Sequence, residues 1–311
     1  MNIPEQAVQL SIVQRLHRFL ENPCFHVRTW YEPVACQLLE ETGRVVGAIR
    51  LVMDTTKCGV DHQWLTVSLA FRRRTIPVAW TWLPGARGHS SAIVQLALLK
   101  YVHTLVPSNV PVFLVADTEF EDGGVQKQVH MWSWFYVLRQ KPNNSVKIAG
   151  EWQPLCSLVR KPGHSVWWAS VPLTQKHQLT TNLLAYWKPG EEHPWLLATN
   201  LPSQHETLKA YKRRMWIDEM HGDLKAHGFF LVDSHWSAFT RLSRLTFAVV
   251  LLYLWIVLQG AKVIKHGQRR LVDRNDRRDL SVFQIGLRSI ERRLASALPP
   301  SFPLDIKLSG G

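Results

Sequence analysis

The sequence predicts an α/β fold: a mixed central sheet flanked by helices, with an inserted β-rich subdomain. Three observations carry this. Residues 45–53 (VVGAIRLVM) and 111–116 (PVFLVA) are short apolar runs that read as buried strands, the second continuous enough for a central strand covered on both faces. A hairpin pattern and then a helical period lie between them. Residues 140–200 carry Pro and Gly punctuation and short strand-like pieces, with no helical period.

The elements follow in order. Residues 1–45 read as helical, with Val8, Ile12, Leu16 and Leu20 four apart on one face. The segment 45–53 is a strand that ends at Asp54. Residues 64–71 alternate as a strand, Arg72, Arg73 and Arg74 form a turn, and 76–83 return as another strand. The loop 84–90 leads to a helix over 92–105, for which Ser90 or Ser91 can be the cap. The strand 111–116 ends at Asp117, and 132–139 (WSWFYVLR) is a further strand. After the insertion come one long helix over 204–227, an apolar helix over 245–262, a basic cluster at 262–278, a helix over 281–297 and an extended PPSFP end.

This divides the chain into an N-terminal helical region (1–45), open to a DNA-binding role, and a core in two parts (46–139 and 201–262). The insertion (140–200) lies between those parts, and a basic C-terminal helical region (263–311) follows them.

Composition narrows the function. With 311 residues, 46% of them hydrophobic, the chain can bury one large core or two smaller ones. Lys and Arg number 37 against 24 acids, a formal charge of +13, which points to a polyanionic partner. The four cysteines form no CxxC pair, and Cys58 and His62 lack a second pair, so neither a disulfide framework nor a zinc site is indicated and a reducing cytoplasm fits. The N-terminus lacks the apolar region of a signal peptide. The apolar run 245–258 has about 14 residues, short of the roughly 20 that span a bilayer, so it reads as a fully buried core helix and no membrane partner is expected.

The most informative run is 211–225, YKRRMWIDEMHGDLK. At about 100° per residue, Tyr211, Arg214, Asp218 and Lys225 fall within an arc of about 60° on one helix face. Ile217, Met220 and Leu224 form an apolar stripe on the opposite side. A tyrosine, two cations and a carboxylate in one stripe suit a phosphate backbone and a metal ion together, although i,i+4 charge pairing on a solvated face gives a similar pattern. Asp54, Asp117 and Asp218 add a set of hard oxygen donors from three separate elements, enough for Mg²⁺. Asp61, Glu119, Glu121 and Asp122 compete in the loops, Glu119 most seriously because it lies two residues from Asp117.

These motifs resemble the DDE transposases of bacterial insertion sequences, in the Tyr–Arg–Glu–Lys signature group (insertion-sequence-four type). Tyr211, Arg214 and Lys225 stand at the signature's spacings, and Asp218 stands where the signature has Glu, with Glu219 just after it. LVMDTTKCG around Asp54 and FLVADTEF around Asp117 resemble the first two motifs, and WFYVLR, WLLATNL and HGFFL are also similar. The resemblance covers residues 45–290. It implies an RNase H-like core with the β insertion between the second and third acids. It also implies DNA strand cleavage and strand transfer with two Mg²⁺ ions, Mn²⁺ being able to substitute.

Under that resemblance Asp54, Asp117 and Asp218 hold the metals, Glu219 is the alternative third acid, and Tyr211, Arg214 and Lys225 bind DNA phosphates. Asp218 has both spacing and helix phase in its favour. A tryptophan of the insertion (Trp167, Trp168, Trp187 or Trp195) can stack on a flipped base. The implied partners are transposon-end and target DNA and a second copy of the chain in a synaptic dimer, in a bacterial cytoplasm and on the nucleoid. Three alternatives stay open: a catalytically impaired or truncated transposase-derived DNA-binding protein, suggested by Asp218 and the short segment before Asp54; a nuclease on the same fold without strand transfer; and a membrane-associated protein, which rests only on the 245–258 run.

Overall fold

The computed structural model describes residues 5–59, 61–85, 90–176, 178–226, 229, 238–274, 276, 278–296 and 298. The PPSFP end and most of the HGFFL stretch lie outside them.

The N-terminal region is helical and consists of two helices, α1 (Glu5–Glu21) and α2 (Val27–Val46). Pro23 lies between them and cannot continue a helix. Gly47 then ends α2 with φ 69°, a left-handed conformation that costs glycine little.

Next, β1 (Ile49–Cys58), β2 (His62–Phe71) and β3 (Arg74–Pro84) form an antiparallel meander. The β2–β3 turn holds two arginines, not three. Arg72 and Arg73 both have positive φ, as two-residue hairpins favour, and Arg74 already belongs to β3. The helix α3 (Ala92–Leu105) starts at the Ser91 cap and leads to β4 (Val112–Ala116). A helix absent from the expected order, α4 (Gly123–Met131), connects β4 to β5 (Phe135–Arg139). Asp122 caps it, accepting from Gly124 N at 2.8 Å. This helix supplies the crossover that the parallel pair β4–β5 requires, and it shortens the strand expected over 132–139.

Residues 140–200 hold β6 (Ser145–Ile148), β7 (Glu151–Pro154), β8 (Ser165–Leu173), β9 (Leu179–Tyr186) and β10 (Trp195–Thr199). They extend the first sheet instead of building another, because β10 pairs with β5 at Leu197↔Arg139. The result is one mixed sheet of ten strands, in the order β3-β2-β1-β4-β5-β10-β9-β8-β6-β7. Its far half keeps a small core of its own around Val146, Leu155, Leu173 and Leu183.

Asp54 is not at a strand end. The parallel ladder of β1 with β4 stops at Met53↔Ala116, while the antiparallel ladder with the longer β2 carries β1 on to Cys58↔His62. Asp54 and Asp117 are therefore the residues just past the last parallel rung, on strands about 4.8 Å apart.

The single helix expected over 204–227 is broken. It is α5 (Gln204–Tyr211), a 3₁₀ turn at Lys212–Arg214, and α6 (Met215–Ala226). A 3₁₀ turn advances about 120° per residue, so three such residues rotate Tyr211 by about 60° relative to α6. The four-residue stripe is split accordingly. The apolar stripe holds: Ile217 and Met220 are fully buried and Leu224 nearly so, each contributing roughly 1.5–3 kcal/mol. Arg74 fixes the next face of α6, with Nε 2.6 Å from Asp223 Oδ2 and Nη1 2.9 Å from Glu219 Oε2.

The apolar helix is longer than expected and only part-buried. α7 (Phe239–Lys265) is long and apolar enough by length and composition to cross a membrane, and 56% of its most apolar window is buried inside the fold. It packs on β3, α1, α2 and α8 (Val282–Ala295), while Leu252 remains exposed. Where α7 crosses α8, Gly260 and Gly286 face each other's backbones. A Cβ added to Gly260 would stand 1.9 Å from the Val282 carbonyl oxygen.

Candidate active site

Three carboxylates from three elements meet just past the last parallel rung of β1 and β4, around one guanidinium. Arg214 Nη2 donates to Asp54 Oδ1 (3.2 Å) and Asp117 Oδ2 (3.0 Å), and its Nη1 donates to Asp218 Oδ2 (3.0 Å). Asp54 is buried in the sheet, whereas the Asp218 side chain is 43% exposed on α6. Asp117 also caps the 3₁₀ turn at Thr118–Phe120, accepting from Glu119 N at 3.0 Å. Burial pulls the Arg214 guanidinium down, but Asp54, Asp218 and Asp117 outweigh it and hold the group above its ordinary value.

Arg214 is thus turned inward on the acids, not outward toward a phosphate. One cation facing three carboxylates leaves the cluster negative, and a buried carboxylate such as Asp54 is stable only with a countercharge. The oxygen donors are hard and come from separate elements, which suits a small dication. The guanidinium stands where such an ion's charge would stand, so these residues fit the metal that the resemblance implies.

Four of the competing acids, Glu219, Glu119, Glu121 and Asp122, are committed elsewhere, whereas Asp61 is exposed in the β1–β2 turn. Glu219 pairs with Arg74 on the neighbouring face of α6. Glu119 Oε1 accepts from Thr55 Oγ1 (3.2 Å), Ser90 N (2.9 Å) and Ser90 Oγ. Glu121 pairs with Lys141 at 2.7 Å, and Asp122 caps α4.

Lys225 Nζ donates to Thr56 Oγ1. Thr56 is two residues past Asp54, so it lies on the same face of β1 and brings Lys225 to the acid side of the sheet.

Tyr211 is 2% exposed and packs edge-on against Trp195, with centroids 5.1 Å apart, instead of facing a phosphate. Burial, with Asp117 adding to it, pushes its phenol up to about 12 against the pull of Arg139 and Arg214. That value lies above the roughly 10 of an unfolded tyrosine. The protonated phenol therefore stabilises the fold fully below pH 10, and this contribution is lost as pH rises from about 10 through 12. Urea unfolding at pH 9 and pH 11 should show that decline, and Tyr211→Phe should make it shallower.

Sequence reasoning missed His221, although its position three residues after Asp218 was a usable signal. Its side chain is buried, with Nδ1 3.7 Å from Asp54 Oδ2. Single ligand atoms of Asp54, Asp218 and His221 lie within 4.8 Å of one another.

A groove of about 1240 Å³ opens beside Asp218, and Arg72, Arg73, Arg74, Arg269 and Arg278 line it along with Trp216. Among the tryptophans expected to stack on a base, Trp195 is occupied by Tyr211, Trp187 Nε1 donates to Glu191 O (2.9 Å), and Trp167 and Trp168 pack partly buried against the two cores.

No protein-family model and no curated protein matches the chain. Among solved structures the chain is similar to a piggyBac transposase in a synaptic complex with hairpin DNA, at 10% identity and a TM-score of 0.41. The match covers 82% of this chain and 58% of that one, so the chain spans less than two thirds of that protein's length.

Proposed function

We propose that the chain is a DNA transposase of the DDE type, built on an RNase H-like core, that cleaves and joins DNA strands by metal-dependent phosphoryl transfer. The observation that carries this is the convergence of Asp54, Asp117 and Asp218 on Arg214 just past the last rung of two parallel strands. Ligand sites of open α/β sheets favour this end of the strands. The first five strands support the RNase H-like reading, with β1, β4 and β5 parallel and β2 running antiparallel between β1 and the edge strand β3.

Asp54, Asp117 and Asp218 would hold two divalent ions, which when bound stabilise the attacking and leaving oxygens at phosphorus. The chain's own part is binding and orientation. Lys225 offers a cation beside Asp54, and the groove arginines can contact the DNA backbone in a sequence-independent way. Arg214, released from the carboxylates, would be free to bind a phosphate in a bidentate manner.

Cleavage of element-end DNA and joining of a pre-cut 3′-hydroxyl end to a target test this reading. Asp218→Asn should lose about 100-fold or more in cleavage, as removal of a metal ligand implies. Glu219→Gln should stay close to wild type. Full activity in Asp218→Asn would sink the choice of Asp218. Cleavage without joining would make the protein a nuclease.

A second reading, a DNA-binding relative without catalysis, draws on the ion pairs that Arg214 makes with all three acids. DNA binding with no metal-dependent nicking would favour it.

A further inference from the structure

We propose that one ion position of this site is built from Asp54, Asp218 and His221, so that it carries a nitrogen ligand and selects a transition dication such as Mn²⁺ over Mg²⁺. This rests on the metal-dependent reading above and names the ion class that reading leaves open.

The geometry begins on α6. Asp218 and His221 are three residues apart, so their side chains leave the helix on one face. A carboxylate followed three residues later by histidine is a spacing with which helices grip transition metals in di-iron carboxylate bundles. Rotation of α6 to bring in Glu219 instead is opposed on two sides, by the buried stripe of Ile217, Met220 and Leu224 and by Arg74 holding Glu219 and Asp223.

Burial comes next. His221 is 5% exposed, its ring lies 5.6 Å from that of Trp64, and Nδ1 points toward Asp54. Trp64 sits on β2 and is paired across the sheet with Thr56, so the imidazole is braced by the same strands that hold the acid. The span also fits. Donors on a small octahedral ion are about 3 Å apart when cis and about 4.2 Å when trans, so three ligand atoms that already lie within 4.8 Å of one another can close on an ion by side-chain adjustment. The shorter reach of Asp218, compared with a glutamate, is thereby offset by a second donor one helical turn further on.

Selectivity follows from the donor. Mg²⁺ demands oxygen ligands, while imidazole suits later first-row dications. A site of carboxylates alone would discriminate weakly between Mg²⁺ and Mn²⁺.

The test uses the full chain with Mn²⁺ alone and no DNA. Pulsed electron paramagnetic resonance should detect a ¹⁴N coupling to the bound ion. In His221→Gln that coupling should vanish while Mn²⁺ still binds about tenfold more weakly. In competition, the wild-type protein should prefer Mn²⁺ over Mg²⁺ by about 100-fold, and His221→Asp should narrow that preference about tenfold. A histidine that only braces Asp54 and packs on Trp64 would give neither the nitrogen coupling nor the selectivity change. Mn²⁺ binding without nitrogen coupling, coupling that survives in His221→Gln, or equal wild-type affinities for the two ions would each overturn the inference and leave metal-dependent cleavage standing. An absence of any Mn²⁺ binding that depends on Asp54 would overturn both. The competition measurement on the wild-type protein stands even where a variant fails to fold.

Discussion

Replacing Arg214 with glutamine should destabilise the metal-free protein by about 3–5 kcal/mol, because it strands carboxylates that share one buried countercharge. Three ion pairs end on this side chain, at 3.0, 3.0 and 3.2 Å. The amide of glutamine can donate hydrogen bonds but brings no charge. The same substitution should raise Mn²⁺ affinity, since the ion no longer has to displace a guanidinium from its donors. A ligand at 100 times its Kd adds about 2.7 kcal/mol of stability, so saturating Mn²⁺ should recover much of the loss. Thermal melts of both proteins with and without Mn²⁺ measure this. The account expects a larger Mn²⁺-induced rise in Tm for Arg214→Gln than for the wild-type protein. An equal or smaller rise would mean that the guanidinium and the metal do not compete. The phosphate role expected of Arg214 and its place among the carboxylates are then two states of one side chain, with metal and DNA together favouring the outward one.

The second large effect lies away from the site. Gly260→Ala should cost about 3 kcal/mol or more, because overpacking of a closely fitted contact is destabilising and here the obstacle is backbone. The new Cβ would stand 1.9 Å from the Val282 carbonyl oxygen and 3.0 Å from Gly286 N. No rotamer change relieves that contact, so α8 must move off α7. Gly286→Ala should behave alike, meeting the Ile256 carbonyl oxygen at 1.9 Å. Gly222 in α6 is the contrast, because a Cβ there meets nothing within 4 Å. Gly222→Ala should stabilise by about 0.5–1 kcal/mol through helix propensity alone. Calorimetric Tm values for the three variants decide the matter, and a near-neutral Gly260→Ala would show that α8 is not held at this distance.

The comparison of sequence and structure turns on which information is local. Asp54 and Asp117 were legible because each closes an apolar run. That β1 continues past Asp54 was not, because it depends on β2 being a longer partner than β4. The joining of 140–200 to the main sheet likewise rests on the distant pairing of β10 with β5. The helix α4 was missed because Asp122 read as a loop acid, although it was serving as a cap. No proline or glycine lies within 211–215, so nothing local marks the 3₁₀ turn that parts α5 from α6. That turn accompanies tertiary contacts on either side, Tyr211 seated against Trp195 and Arg214 reaching the acids. The spacing of Arg214 and Asp218 was readable and places them i,i+4. Whether the arginine meets a phosphate or a carboxylate depends on depth, which one sequence does not carry.

The claim that Asp54, Asp117 and Asp218 form a metal-dependent centre acting on DNA is tested most directly by nicking of a supercoiled plasmid. Wild-type protein should convert it to the open circle only when Mn²⁺ or Mg²⁺ is present. Asp117→Asn, with its fold verified by circular dichroism, should be slower by about 100-fold or more. Equal nicking by the two proteins, or no nicking by the wild-type protein with either ion, would contradict the account.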